Sequence, residues 1–194
     1  MREIGRLVHL QIQRGSLKTG EKPDRRYDPA PLLAVDRLWV TPDGVLGRGP
    51  GAHDEWLVDV HHRAHPATKN DDGGHGVSVG FTGHYHLMRD RFGERIVVGC
   101  AGENLIAETD RVLRLDDVAG GLVVMGEGDV ERVRLRVLQV AHPCRPFTGW
   151  ALGARVEPDV LKQGLQFLDD GTRGYYLQAE GTGEVRLGDR LYSV

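Results

Sequence analysis

The chain has 194 residues, of which 40% are apolar and 27% charged, and its formal net charge is −3. This length fits one domain with its own hydrophobic core, and the composition excludes wholesale disorder. The sequence has no dense Lys/Arg run and no apolar stretch of about 18 residues, which argues against nucleic-acid binding and against a membrane span. We therefore predict a single domain over residues 1–194 in the cytoplasm, where the two cysteines stay reduced.

Strand patterns dominate the chain. The alternation over 5–13 predicts a first strand that carries Leu7, His9, Gln11 and Gln13 on one face. Apolar or alternating runs bounded by turn residues predict the other strands, at 32–40, 55–62, 105–107, 122–125, 130–140, 175–178 and 184–194.

Helices and loops are fewer. Residues 83–92 and 158–168 have helical patterns, and a first-turn proline supports the second. The polar segments 14–31 and 66–76 are loops that are long enough to shape a pocket or to contact a partner. Many short strands with few short helices predict a mainly β fold, a closed β-barrel.

Cys144 is the strongest candidate for chemistry. It follows the alternating strand 130–140 and stands between two prolines, which restrict the backbone. Arg145 and His142 are its neighbours, and a nearby cation favours the thiolate form that acts as nucleophile or metal ligand. The alternative is a small buried side chain that only packs.

The glycine-rich segment 99–105 is a second candidate. Cys100 fills a small-residue position there, which favours packing. Its glycines indicate a tight turn, or a backbone that presents N–H groups to an anion. Asn104 can bond to a ligand or to its own turn.

Histidines are concentrated in one part of the chain, namely at His61, His62, His65, His75, His84 and His86. On a strand, His84 and His86 would share a face, as metal ligands do. On a helix their side chains would diverge, and hydrogen-bonding or surface histidines would be the simpler interpretation.

Three segments in the same order resemble the MOSC domain, which is named for the C-terminal part of molybdenum cofactor sulfurase and also occurs as stand-alone bacterial proteins. They are the G-x-x-G-E-N-L run at 99–105, the strand ending in Pro-Cys at 137–144, and the G-Y-Y … G-x-V-x-x-G-D pattern at 174–189. The chain departs from the family pattern at 70–78, which is stretched, and directly after Cys144. The first departure leaves open which histidine has a ligand role.

The resemblance implies a β-barrel of the pyruvate-kinase barrel type and a role near the molybdenum cofactor. In relatives, the cysteine that matches Cys144 is thought to carry sulfur or to ligate molybdenum. The resemblance and the residue chemistry together suggest cofactor-binding residues at Gly102, Glu103, Asn104, Arg145, His61, His62 and Arg173.

Some relatives reduce N-hydroxylated compounds, so one expected function is a molybdenum-cofactor-dependent reductase with Cys144 as metal ligand. The alternative is a sulfur carrier or cofactor-binding module that uses a Cys144 persulfide, independent of pyridoxal phosphate. Both need the same exposed thiol. A histidine-bound metal hydrolase or small-molecule binder is the third hypothesis, with the metal at His84 and His86.

The expected partner of a reductase is a small-molecule substrate. No segment resembles a flavin, haem or iron–sulfur domain, so electrons would come from a separate redox partner protein. Neither a nucleic acid nor a membrane is expected as a partner.

Overall fold

Strands make up most of the regular structure in the computed structural model, which describes residues 1–49, 55–70, 73–153 and 156–194. Residues 71–72 of the predicted 66–76 loop lie outside the described residues. The strands found in these ranges are β1 Arg2–Gln13, β2 Lys18–Thr19, β3 Arg26–Tyr27, β4 Leu32–Val35, β5 Arg37–Thr41, β6 Gly44–Arg48, β7 Leu57–Val58, β8 Val77–Phe81, β9 Leu105–Ala107, β10 Leu122–Met125, β11 Glu131–Val140, β12 Tyr175–Ala179, β13 Gly183–Arg186 and β14 Arg190–Ser193.

Four helices accompany the strands in the described residues, α1 Thr82–Phe92, α2 Leu115–Val118, α3 Arg145–Leu152 and α4 Pro158–Leu168. Helices α1 and α4 confirm the two predicted helices. None of the helices in the described part of the chain is both long and apolar enough to cross a membrane.

Seven strands close into a barrel in the order β14-β10-β11-β12-β8-β9-β1, and pairing between β1 and β14 completes the ring. Strands β8 and β9 run parallel, while the other neighbours in the ring are antiparallel. A second sheet has the order β13-β5-β6-β7. The predicted mainly β fold with a closed barrel and a few short helices is therefore confirmed.

The predicted faces of β1 are wrong at its start, because the strand contains a bulge. Its pairing register with β9 shifts between Leu7 and His9. An extra residue at this point moves every following side chain to the opposite face. Leu7, Leu10 and Ile12 therefore all pack in the barrel core, whereas His9 and Gln11 bond to each other outside that cluster.

Other predicted boundaries changed because tertiary pairing overrode the local pattern. The single strand predicted over 32–40 is interrupted at Asp36, so that β4 pairs with β1 and β5 joins the second sheet. Within the strand predicted over 55–62, the residues of β7 pair with β6. Strand β8 was not predicted, although Val77, Val79 and Phe81 alternate with Ser78 and Gly80, and all five of its residues are buried.

A second apolar cluster forms between helices α1, α3 and α4 and the loop that carries β2 and β3. Its aromatic members include Tyr27 and Phe147, whose rings meet edge to face with centroids 5.1 Å apart. Cys144 packs against the same cluster. The packing of this cluster fixes the start of α3, and with it the position of the candidate cysteine.

Candidate functional site

A cavity of about 380 Å³ is lined by segments that are distant in sequence. Its size falls in the range of small-molecule and cofactor sites, roughly 300–1,000 Å³. The lining residues are Gln13, Ser16, Leu17, Lys18, Arg25, Tyr27, Val60, His61, Ala67, Lys69, Ser78, Ala101, Gly102, Glu103, Ala141, His142, Cys144, Arg173 and Tyr176. The loops predicted at 14–31 and 66–76 both contribute to this lining.

Cys144 lines the cavity and is partly buried. It has an extended backbone and is the N-cap residue of α3, where its carbonyl oxygen accepts hydrogen bonds from Thr148 N and Oγ1, each at 3.0 Å. Pro146 in the first turn suits a helix start, because that turn leaves backbone N–H groups unpaired in any case. The Pro-Cys-Arg-Pro run therefore joins a strand end to a helix start, and a helix N-terminus favours negative charge.

Cys100 differs from Cys144 in every respect that matters for reactivity. Its side chain is buried in the second apolar cluster. Burial, followed by the charge of Glu103, raises the pKa of the Cys100 thiol to about 12. The packing interpretation of this residue is confirmed, so Cys144 is the thiol that the cavity presents.

The glycine-rich turn is held by hydrogen bonds within the protein. The N–H groups of Cys100, Ala101 and Gly102 donate to Val97 O, the Tyr85 hydroxyl oxygen and Gly99 O. These three groups are therefore paired within the protein. Gly102 still borders the cavity, and its φ of +97° is a conformation that glycine adopts without strain.

Arg173 brings a partly buried positive charge to the cavity. Its Nη2 donates to Ala101 O at 2.5 Å, and its guanidinium group lies 4.3 Å from the centre of the Phe147 ring. Its Nε is buried and has no hydrogen-bond partner among the described residues. Arg173 is close enough to Cys144 for the two to interact electrostatically, whereas the sequence offered Arg145 and His142 as the groups near this thiol.

Glu103 is 3% exposed and also lines the cavity. The Tyr85 hydroxyl donates to Glu103 Oε2 at 2.5 Å, while Oε1 has no hydrogen-bond partner among the residues that the structure describes. Burial raises the pKa of the Glu103 carboxyl, against the opposing effect of the Arg173 charge. Glu103 is therefore a buried acid in the cavity wall.

His61 is held in the cavity wall by Asp59, which is fully buried. Asp59 Oδ1 accepts from His61 N at 2.8 Å and lies 3.0 Å from His61 Nδ1. Asp59 Oδ2 accepts from Gln13 N at 2.7 Å and from Asn104 Nδ2 at 3.1 Å. The carboxylate thus fixes both the histidine and the end of β1.

Asn104 belongs to the framework of the site. Its Oδ1 accepts from Ser78 N and Ser78 Oγ, each at 3.0 Å, and its Nδ2 also donates to Gln11 O at 3.2 Å. It does not line the cavity within the described part of the chain. Its hydrogen-bonding capacity is used to join β1, β8 and the chain before β9.

Two further sequence candidates do not reach the cavity lining as far as the structure describes it. Arg145 is exposed on the first turn of α3. His62 Nδ1 accepts from Ala64 N at 3.1 Å, and partial burial lowers the pKa of His62. Both residues are close in sequence to residues that do line the cavity, Cys144 and His61.

The metal site hypothesised at His84 and His86 is wrong, because the segment forms helix α1 and the two side chains diverge. His84 is buried, with its Nε2 2.9 Å from Leu113 O, whereas His86 is exposed. Among the described residues, no three His, Cys, Asp or Glu side chains are grouped as a metal site.

Positive charge is concentrated in the cavity although the whole chain carries a net charge of −3. Lys18, Arg25, Lys69 and Arg173 line it, and Glu103 is the carboxylic acid among the described lining residues. A cavity of this kind favours an anionic ligand. Lys18, Arg25 and Lys69 were not identified from the sequence, because they lie on loops without a motif.

Comparison with known proteins agrees with this fold. The family model described as MOSC domain matches residues 75–192, and no curated protein matches the chain. YuaD protein from Bacillus subtilis superposes with a TM-score of 0.58 at 12% identity, over 96% of this chain and 93% of that chain.

YiiM from Escherichia coli has a TM-score of 0.53 at 20% identity, over 84% of this chain and 64% of its own length. YiiM from Geobacillus stearothermophilus has a TM-score of 0.55 at 18% identity, over 97% of this chain and 74% of its own length. At these identities the three solved structures support the fold alone.

Proposed function

Because this chain belongs to the MOSC domain family, we propose that it is a molybdenum-cofactor-dependent reductase of N-hydroxylated compounds, with the Cys144 thiolate as protein ligand to molybdenum. MOSC domains are associated with the molybdenum cofactor in general. One observation carries the proposal for this chain: its partly exposed cysteine lies in a cationic cavity of about 380 Å³.

The chemistry of the cavity suits this cofactor. A thiolate is a soft ligand, appropriate to a metal that the cofactor's own sulfur atoms already hold. Lys18, Arg25 and Lys69 are the residues that would bind the cofactor phosphate, because a phosphate group is matched by ammonium and guanidinium groups. Arg173 Nε is a buried donor without a partner among the described residues, so a bound ligand would satisfy it.

When bound, the cofactor would supply two-electron redox chemistry. The chain itself would contribute binding and orientation. Cys144 would hold the metal from the start of α3, with the Arg173 guanidinium group in the same cavity wall. His61, fixed by Asp59, would face a small-molecule substrate from another wall. A separate redox partner protein would deliver the electrons.

The test is a reduction assay on protein purified from a host that makes the cofactor. A reduced viologen dye serves as electron donor, and an N-hydroxylated purine base serves as substrate. We expect the wild type to form the amine and Cys144→Ala to form none. Cys100→Ala is the matched control, and it should keep most of the activity because Cys100 lies outside the cavity lining.

Two results would contradict the proposal. One is a Cys144→Ala variant that reduces the substrate as fast as wild type. The other is a wild-type protein that carries a persulfide on Cys144 and reduces no N-hydroxylated compound, which would favour the sulfur-carrier alternative.

A further inference from the structure

We propose that Glu103 is the proton donor to the oxygen atom that leaves when an N-hydroxylated substrate is reduced in the cavity. The inference deepens the proposed function and rests on it. It starts from an unusual arrangement, in which a buried carboxylic acid lines the same cavity as the candidate metal ligand and has one oxygen without a partner.

Hydrogen-bond direction determines where the proton of Glu103 sits. The Tyr85 hydroxyl oxygen accepts from Ala101 N at 3.3 Å, and its hydrogen is donated to Glu103 Oε2 at 2.5 Å. Oε2 is therefore an acceptor. When the carboxyl group is protonated, the hydrogen is on Oε1, and no group in the described part of the chain accepts it.

The surroundings favour the protonated form. Glu103 is 3% exposed, and burial disfavours a carboxylate, so the pKa of Glu103 is raised. The Arg173 charge, the hydrogen bonds to Glu103 from Tyr85 and from the backbone, and His9 act in the opposite direction, each more weakly than burial. The titratable or charged groups that interact with Glu103 are Tyr85 on α1, His9 on β1, Tyr27 on β3, Cys100, Arg173 and, on β12, Tyr176.

The cavity wall holds a second donor of the same kind. Arg173 Nε, like Glu103 Oε1, is buried and has no hydrogen-bond partner in the part of the chain that the structure describes. Both side chains belong to residues that line the cavity with Cys144. Two unpaired donors at one cavity match a ligand acceptor, and the hydroxyl oxygen of an N-hydroxylated compound is such an acceptor.

Gly80 provides the room that the acid needs. A Cβ atom at position 80 would lie 3.1 Å from Glu103 Cγ and 3.4 Å from Glu103 Oε1. A side chain there would press on the carboxyl group, which packs against the bare backbone of Gly80 on β8.

The reaction balances as R–NH–OH + 2 e⁻ + 2 H⁺ → R–NH₂ + H₂O. The N–O bond breaks, and the two electrons come from the reductant, which in the cell is the redox partner protein of the proposed function. Glu103 gives one proton to the departing oxygen, which leaves as water, and solvent supplies the other. The Glu103 carboxylate is stabilised by the Arg173 charge until it takes a proton back from solvent.

Glu103→Gln tests the donor role. Glutamine keeps an acceptor for Tyr85 and a donor in place of Oε1–H, but it cannot release a proton. We expect kcat, measured per bound molybdenum, to fall by about 10²–10⁴-fold, with KM and molybdenum content unchanged. Glu108→Gln, an exposed carboxylate five residues along the chain, should match the wild type.

Infrared spectroscopy provides a readout that does not depend on activity. The wild type should show the carbonyl band of a protonated carboxylic acid that persists to higher pH than the band of an exposed carboxyl group, shifts in heavy water and is absent in Glu103→Gln. In Glu103→Ala, added acetic acid should restore part of the lost rate, since a small acid can occupy the space of the missing side chain.

The outcomes separate this inference from the proposed function. An active wild type whose Glu103→Gln variant keeps its kcat, or a wild type without the carboxylic acid band, would overturn the donor role alone. A wild type that shows the band and reduces no N-hydroxylated compound would overturn the proposed function, and the donor role with it.

Discussion

Replacing His84 with glutamine should make the stability of this protein less sensitive to acid. His84 is 1% exposed, its Nδ1 has no hydrogen-bond partner within residues 1–49, 55–70, 73–153 and 156–194, and its ring meets Phe81 edge to face. Burial lowers the pKa of His84 from 6.5 to about 4, because the imidazolium form would lose its hydration. The native state therefore holds this histidine neutral.

The sign and size of the effect follow from this pKa. Above pH 6.5 both folded and unfolded states carry a neutral His84, so its contribution to stability is fully present. Between pH 6.5 and about 4 the unfolded state binds a proton that the folded state does not, and stability falls by up to about 1.4 kcal/mol per pH unit. The total loss below pH 4 is about 3 kcal/mol.

The assay is urea unfolding at intervals between pH 8 and pH 4. His84→Gln should lose stability at every pH through weaker packing, but its curve should fall less steeply below pH 6.5 than the wild-type curve. His86→Gln is the matched control on the exposed side of α1, and its curve of stability against pH should run parallel to the wild-type curve. Parallel curves for wild type and His84→Gln would refute the reasoning.

Three further perturbations test the scaffold and the cavity. Gly174→Ala should lower the melting temperature by several degrees, because the φ of Gly174 is +81° and a Cβ atom there would lie 1.9 Å from Val79 O. The control Gly149→Ala lies inside α3 with open space around it and should not lower the melting temperature. Asp59→Asn should lower the free energy of unfolding in urea by about 1–3 kcal/mol, because backbone and side-chain donors lose a charged acceptor. Lys69→Glu should weaken pyrophosphate binding several-fold in titration calorimetry at low salt, whereas Lys162→Glu on the exposed surface of α4 should leave it unchanged. The glycine prediction is contradicted by equal melting temperatures for the two glycine variants. The Asp59 prediction is contradicted if Asp59→Asn unfolds in urea as the wild type does, and the lysine prediction if the two lysine variants bind pyrophosphate equally.

Local periodicity was enough to predict the elements that carry a strong pattern of their own. Strand β11 alternates over its length, and α4 combines a first-turn proline with an apolar face, so both were found within one residue of their observed bounds. The closed barrel followed from many short strands separated by turn residues. The pairing partners of the strands could not be predicted from local periodicity, because the bulge in β1 and the break at Asp36 depend on strands far along the chain.

The candidate site was predicted in part, because sequence proximity is a poor guide to spatial proximity. Cys144, Glu103, His61 and Arg173 do line one cavity. Arg145, the residue next to Cys144, turns outward at the first turn of a helix that the sequence did not predict. Arg173, 28 positions further along the chain, lies close enough to Cys144 to interact with it electrostatically, and its guanidinium group packs on the Phe147 ring of the second apolar cluster.

The central claim is that Cys144 holds the molybdenum cofactor in this cavity, and elemental analysis tests it most directly. Wild type, Cys144→Ala and Cys100→Ala would be produced in parallel in a host that makes the cofactor, and molybdenum would be measured per chain. We expect near-stoichiometric molybdenum in wild type and Cys100→Ala, with loss in Cys144→Ala. Absence of molybdenum from the wild type, or equal content in all three proteins, would contradict the claim.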